Sequence, residues 1–356
     1  MEPNSTTVET TTTTPHESDR HLSLAFSGDV LAHTPLVVQA RRNAIANRSS
    51  DEYDFGPMFL RVTPLISGVD LAICHLETPV APDGEDLSTY PYFGVPPEIA
   101  AAIADAGFDR CSTASNHSFD RGPDGIDATV NALEAHGVGQ AGMARTAAEM
   151  EPQVIAFNGV RVTHLSYTFG FNGLSLPIDQ QWRSAVIDSR RILADARSAR
   201  EMGAEVVIVS MHWGNEMEST PSSMQKTVAH ELTSSGLIDL IVGHHAHVVQ
   251  PIVKMNGTWV MYGLGNILSN LPTDERWPAQ SQDAAIATVD MSISPTGHLT
   301  IARPLVYPTW VDKIHGWSIR SVLDDLVDPS VSPGTKSVLK ISLKRTAKIL
   351  GDYFAK

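Results

Sequence analysis

The chain has 356 residues, of which 42% are hydrophobic and 19% charged, with 25 Gly and 22 Pro. That is room for one large or two modest domains, and it excludes collagenous, coiled-coil and wholly disordered classes. The 26 Lys+Arg against 40 Asp+Glu leave a net charge of −14, which repels phosphate backbones and anionic lipid and argues against a nucleic-acid partner.

The first twenty residues carry seven Thr and two Ser and lack the basic-then-apolar pattern of a signal peptide. Residues 1–21 therefore read as a Thr-rich tail or stalk, as if an upstream anchor were missing, which points outside the cytoplasm while a cytoplasmic location stays open. Short apolar runs follow at Leu22–Ser27, Asp70–Cys74, Phe108–Thr113, Val162–Ser166, Glu205–Ser210, Ile238–Val242 and Trp259–Tyr262. Each is bounded by turn residues and reads as a buried strand. Helices are expected over Pro123–His136, Ile187–Met202 and Pro221–Ser235, each stopping at a Gly. This alternation predicts an α/β domain over 22–310, with helices outside the sheet. Ala284–Ser292 and Leu299–Val306 alternate like antiparallel strands about the turn Pro295-Thr296-Gly297. Residues 311–356 read as an extension ending in an amphipathic helix, with Leu339, Leu343, Ala347, Leu350 and Phe354 on one face. No apolar run reaches the ~18–20 residues of a membrane span.

The two cysteines, Cys74 and Cys111, exclude a Cys-rich zinc site and read as packed thiols.

Seven of the fourteen histidines fall just after predicted strands, where an α/β sheet presents its ligand site. The segments are Gly28-Asp29 through His33, His75-Leu76-Glu77, Asn116-His117 through Asp120, His212-Trp213-Gly214-Asn215-Glu216 and His244-His245-Ala246-His247. Imidazole, carboxylate and amide oxygen suit a divalent cation such as Mn, Zn, Fe or Mg, and carboxylates gathered in one cleft need such a charge. Alone, Gly28-Asp29 is a turn and Asn116 a helix cap. His245 and His247 alternate and would share a side in an extended segment, with His244 facing away. Trp213 reads as a wall of the pocket, and Glu216 as a partner of a ligand His or a substrate contact. Asp120 and Asp124 read as carboxylates serving the N-terminus of the Pro123 helix.

In this order the motifs resemble the CapA family of the calcineurin-like metallophosphatase superfamily. They are Gly-Asp, Glu77-Thr78-Pro79, Asn116-His117-(x)₂-Asp120-x-Gly122, His212-Trp213-Gly214-x-Glu216 and Gly243-His244-His245-x-His247-x-x-Gln250. Val260 to Asn266 is similar to the Tyr-x-Leu-Gly-Asn stretch that follows in that family. The family is associated with bacterial capsule and poly-γ-glutamate synthesis. The resemblance, over roughly residues 22 to 306, implies a layered α-β-β-α sandwich of mixed sheets. It also implies one or two divalent cations about 3.5–4 Å apart if paired, held by Asp29, Glu77, Asn116, His212, His245 and His247. His117 would stand beside them as general acid. Three departures are visible. Leu31 takes the place of a ligand His, with His33 as a substitute ligand or a helix-start residue. Glu77 replaces an Asp, as is typical of CapA proteins. His75 and Ser115 replace Asn, His75 serving as a ligand or as a hydrogen-bond partner of one. The implied activity is hydrolysis or transfer at a phosphoester or γ-glutamyl amide in an extracellular polymer, in association with a membrane synthase complex. The other reading is a non-catalytic component that binds or guides the polymer.

Overall fold

Along β1 (Arg20–Val30), Leu22, Leu24 and Phe26 enter one hydrophobic cluster while Ala25 enters another. That two-residue alternation belongs to a strand covered on both faces. The computed structural model describes residues 18–274 and 277–355; most of the expected Thr-rich tail lies outside them. The chain next lays down β2 (Leu71–Leu76), β3 (Arg110–Ser112) and β4 (Gly139–Ala141). It then forms β5 (Ile155–Phe157), β6 (Val160–Thr168), β7 (Val206–His212), β8 (Leu240–His244), β9 (Ile252–Met255) and β10 (Thr258–Met261). Last come β11 (Asp283–Ile293), β12 (Leu299–Ile301), β13 (Leu305–Asp312) and β14 (Ser318–Ser321).

Two mixed sheets result. One has the order β14-β13-β11-β1-β2-β3-β4, with β12 pairing β11, and the other the order β5-β6-β7-β8-β10-β9. Strands β1 to β4 run parallel, as do β6, β7, β8 and β10. Leu24, Phe26 and Ile73 of the first sheet pack against Val206, Ile208 and Val242 of the second. Helices Thr34–Asn47, Glu98–Asp105 and Gly122–Ala135 cover the first sheet's outer face, and Ser189–Glu201 and Ser223–Thr233 the second's. The α-β-β-α sandwich expected from the resemblance is the architecture observed. Helix starts follow local chemistry. Asp188 accepts from the Arg190 and Arg191 amides, and Ser222 and Gln225 form a reciprocal capping box.

Three expectations need correction. The strand expected over Leu299–Val306 is broken: β12 pairs β11 as a hairpin, and after Pro304, which cannot donate to a ladder, β13 resumes against another part of β11. The boundary drawn at residue 310 falls inside β13, and β13 and β14 extend the first sheet. The two cysteines are not free: Cys74 and Cys111 sit in register on adjacent parallel strands, Cα atoms 4.4 Å apart, and form a disulfide. Their pairing depends on strand order, which spacing in the sequence does not reveal. Among the described residues, no helix is long and apolar enough to cross a membrane.

Candidate metal centre

Parallel strands deliver their carboxyl ends to one edge, and here both sheets do so together. Asp29 near the end of β1 is in register with His75 of β2, and His212 at the end of β7 is in register with His244 at the end of β8. Gly28 lets β1 reach this edge, because a Cβ there would lie 2.1 Å from the Gly265 carbonyl oxygen. The Gly28-Asp29 pair is thus part of a strand and not the turn that its composition suggests. Across the gap between sheets, His75 Nε2 lies 2.9 Å from His212 Nδ1.

Asp29 is at the centre. His244 Nδ1 donates to its Oδ1 at 2.9 Å, the His245 backbone N–H donates to its Oδ2 at 3.0 Å, and His247 Nδ1 stands 3.6 Å from Oδ2. His212 Nε2 donates to Asn116 Oδ1 at 2.9 Å. His247 Nδ1 donates to Asn266 Oδ1 at 2.9 Å, which leaves Nε2 towards Glu77, 3.8 Å from Oε1. Ser115 Oγ donates to the Glu77 carbonyl at 2.6 Å and fixes the loop that carries Asn116 and His117. The structure therefore brings together Asp29, Glu77, Asn116, His212, His245 and His247, all buried. Four sets of three donors lie within 4.8 Å of one another: Asp29/His75/His244, Glu77/His212/His245, Asp29/Glu77/His247 and Glu216/His245/His247.

Electrostatics match a cation site. Burial would raise Asp29, but hydrogen bonds from His244 and His247, with charge chiefly from His244, hold it well below the usual carboxylate range. Burial raises Glu77, which lies beside Asp29 and Glu216. Burial also pushes His75 and His212 well down and His245 to about 3, so all three are neutral at pH 7, the form in which imidazole ligates. Both Glu77 carboxylate oxygens and His245 Nδ1 are buried without a hydrogen-bond partner among the described residues. Orphaned buried groups are costly, and a divalent cation is what oxygen and imidazole donors of this kind satisfy. The residues fit such an ion.

His117 borders the cluster. Its Nδ1 donates to Asp120 Oδ2 at 2.7 Å, which also accepts the Phe93 amide at 2.8 Å, and Phe93 packs edge-on against the ring. His33 precedes the helix Thr34–Asn47 and enters none of the donor sets among the described residues. Its Nδ1 lies 3.0 Å from the Leu31 carbonyl and 3.2 Å from the Asn270 amide. His75 engages both ring nitrogens, Nδ1 with Ser112 Oγ at 2.8 Å and Nε2 with His212.

Several assignments change. His244 faces the cluster, not away from it, because the segment is no extended strand: His245 and His247 have φ of 83° and 55°, a left-handed geometry rare for a side chain of this size. Asp120 holds His117 besides preceding its helix; the i, i+3 spacing is the signal for it. Trp213 lies in the core beneath the second sheet's helices, its Nε1 donating to the Tyr262 carbonyl at 3.0 Å. Asn266, the His247 partner, ends the Val260–Asn266 stretch that the resemblance singles out, whereas Phe169, stacked 6.1 Å from the His212 ring, carries no spacing signal that links it to the histidines.

Over 296 residues the chain is 26% identical to the capsule biosynthesis protein CapA of Bacillus anthracis, spanning 80% of this chain and 68% of that one. It is 28% identical over 221 residues to a probable polyglutamine synthesis accessory protein of Mycobacterium tuberculosis, 57% of each chain. In fold alone it is similar to a phosphatase from Mycoplasma pneumoniae, with a TM-score of 0.50 and 12% identity over 82% of this chain and 94% of that one. Residues 23–271 match the family described as bacterial capsule synthesis protein PGA_cap, and that span holds every donor named above: the chain belongs to this family.

Proposed function

We propose that this protein is a metal-dependent hydrolase or transferase that acts on a phosphoester or γ-glutamyl amide during synthesis of a capsule, poly-γ-glutamate or related envelope polymer. The observation that carries the reading is the Glu77 carboxyl group, both oxygens buried without a hydrogen-bond partner among the described residues, in one donor set with the neutral imidazoles of His212 and His245. His247, 3.8 Å away, is raised to about 9 against its burial by the charge of Glu77, and His117 borders the cluster. A divalent cation held by Asp29, Glu77, Asn116, His212, His245 and His247 would supply Lewis-acid polarisation of substrate oxygen. The chain's own part is proton handling and positioning. Asp120 holds the proton on His117 Nδ1 and fixes the ring, so the proton given to a departing oxygen or nitrogen is the one that Nε2 carries when the ring is doubly protonated. Asn266 orients His247, and Ser115 fixes the turn that carries His117.

The reading sets the protein outside the cytoplasm, near a membrane synthase complex. The Cys74–Cys111 disulfide, a bond favoured in oxidising compartments, supports that location. The relatives' names in capsule and polyglutamine synthesis support the polymer.

The test is elemental analysis of protein purified without chelator, with turnover of a model phosphodiester and a γ-glutamyl peptide by wild type and His117→Ala. Bound metal with turnover that collapses in His117→Ala is the expected result. Bound metal without turnover of either substrate favours a second reading, a non-catalytic polymer-handling component. The word accessory in the mycobacterial relative's name speaks for it.

A further inference from the structure

We propose that Lys313 anchors an anionic group of the substrate, a carboxylate or a phosphate, at the mouth of the candidate metal centre. The inference deepens the functional reading above and starts from it. Lys313 follows β13, in the turn before β14, outside the span that matches the family. It lines a cavity of about 700 Å³ together with His33, Phe93, His117, Glu216 and His247. One surface thus joins the lysine to the proton-handling histidine and to a candidate metal donor.

The ammonium has one partner among the described residues. It donates to the Leu271 carbonyl, and among the described residues it makes no ion pair. An ammonium has three N–H donors, so two remain for a ligand. Two acids among the described residues bear on it, its chain neighbour Asp312 and the cavity-lining Glu216. Asp312 is taken by Arg320 at 2.8 Å and His315 at 2.8 Å. Glu216 also lines the cavity, and among the described residues it makes no ion pair with Lys313. In a chain of net charge −14, a partly buried lysine that, among the described residues, bonds one carbonyl and no carboxylate suits an incoming anion. Burial lowers its pKa to about 8, so the charge is present at neutral pH. His33, which faces the same cavity, is pushed down to about 4 by burial and is neutral there. Lys313 would act as a positioning residue: it pairs with a substrate charge away from the bond that breaks.

The experiment is calorimetric binding to the full chain, with and without added Mn²⁺, of three probes: tri-γ-glutamate, its uncharged amide analogue and inorganic phosphate. Variants are Lys313→Met and Lys313→Arg, with melting temperatures taken to confirm folding. An anion bound by wild type should lose about tenfold or more in affinity in Lys313→Met. Lys313→Arg should keep it within about threefold, and the uncharged analogue should not change. The anion that responds tells carboxylate from phosphate. Equal affinity of wild type and Lys313→Met for both anions overturns the inference, as does no binding of either anion up to about 10 mM. If no metal is retained but the lysine dependence persists, the hydrolase reading falls and the anion site stands; retained metal with no lysine dependence gives the reverse.

Discussion

His75 and His212 come from different sheets, yet the rings share a hydrogen bond of 2.9 Å between Nε2 and Nδ1. Asn116 Oδ1 accepts from His212 Nε2, so His212 Nδ1 must accept from His75 Nε2, and His75 Nδ1 in turn accepts from the Ser112 hydroxyl. This chain of three bonds links the two sheets at the edge that carries the donors. His75→Phe keeps a ring but orphans the buried His212 Nδ1, while the Ser112 hydroxyl keeps the Cys74 carbonyl at 3.3 Å. With chelator present, so that metal does not enter, it should lower stability by about 1–3 kcal/mol in denaturant melts. An unchanged midpoint would show that the chain contributes nothing.

Metal removal gives the second prediction. A cation held only by the folded protein stabilises it by about 2.7 kcal/mol at a hundred times its Kd. Chelator should therefore lower the melting temperature of wild type. His245→Ala and His247→Ala should cost less stability with chelator than without it. A wild-type melt that chelator leaves untouched would count against a tightly held ion.

Asp120→Asn keeps an acceptor for the Phe93 amide but removes the charge that holds the His117 Nδ1 proton. Nitrogen NMR of the ring should show the Nδ1–H preference of wild type weakened. Turnover of any substrate found should drop by about 10²-fold or more. Full turnover in this variant would detach His117 from Asp120.

The disulfide closes a separation of 37 residues, a loop for which chain entropy gives about 4 kcal/mol of stabilisation. Reductant, or Cys74→Ala with Cys111→Ala, should lower the melting temperature. The unfolded, unreduced chain should react with no thiol reagent.

Acid stability supplies the fifth test. Arg20 grips Glu205 with bonds of 2.9 and 2.6 Å and joins β1 to the start of β7. The Arg20 hydrogen bonds hold Glu205 down to about 2. A lowered carboxylate contributes its stability above the unfolded value of 4.5 and loses it as pH falls towards 2. Because the Arg20 side chain is 39% exposed, the amount is about 1 kcal/mol at most. Glu205→Gln should lower stability at neutral pH and flatten its decline between those two values. A variant that loses stability on acidification as steeply as wild type would contradict this.

Strands and their exits are legible in the sequence because a doubly covered strand must be apolar and its ligand-bearing end must not. Asp29, Glu77 and His212 stand out by that contrast. His244 does not, because its orientation depends on left-handed turns at His245 and His247 that histidine itself does not announce. Asp120 is ambiguous in sequence, since a carboxylate before a helix serves the helix dipole and a neighbouring imidazole equally well. The Cys74–Cys111 bond and the place of β13 and β14 are set by strand order, a long-range property that local periodicity does not carry. Lys313 is invisible for the same reason: only the fold brings its turn to the histidines.

Asp29, Glu77 and Asn116 ride on one layer of the sandwich, and His212, His245 and His247 on the other. The thickness of the oily filling between them, Leu24 and Phe26 against Val206 and Ile208, therefore works as a shim that gauges the distance across the donor cage. A methylene gained or lost deep in that filling would be read at the edge as a change in how tightly a cation is gripped, so the interior and the chemistry cannot drift apart independently.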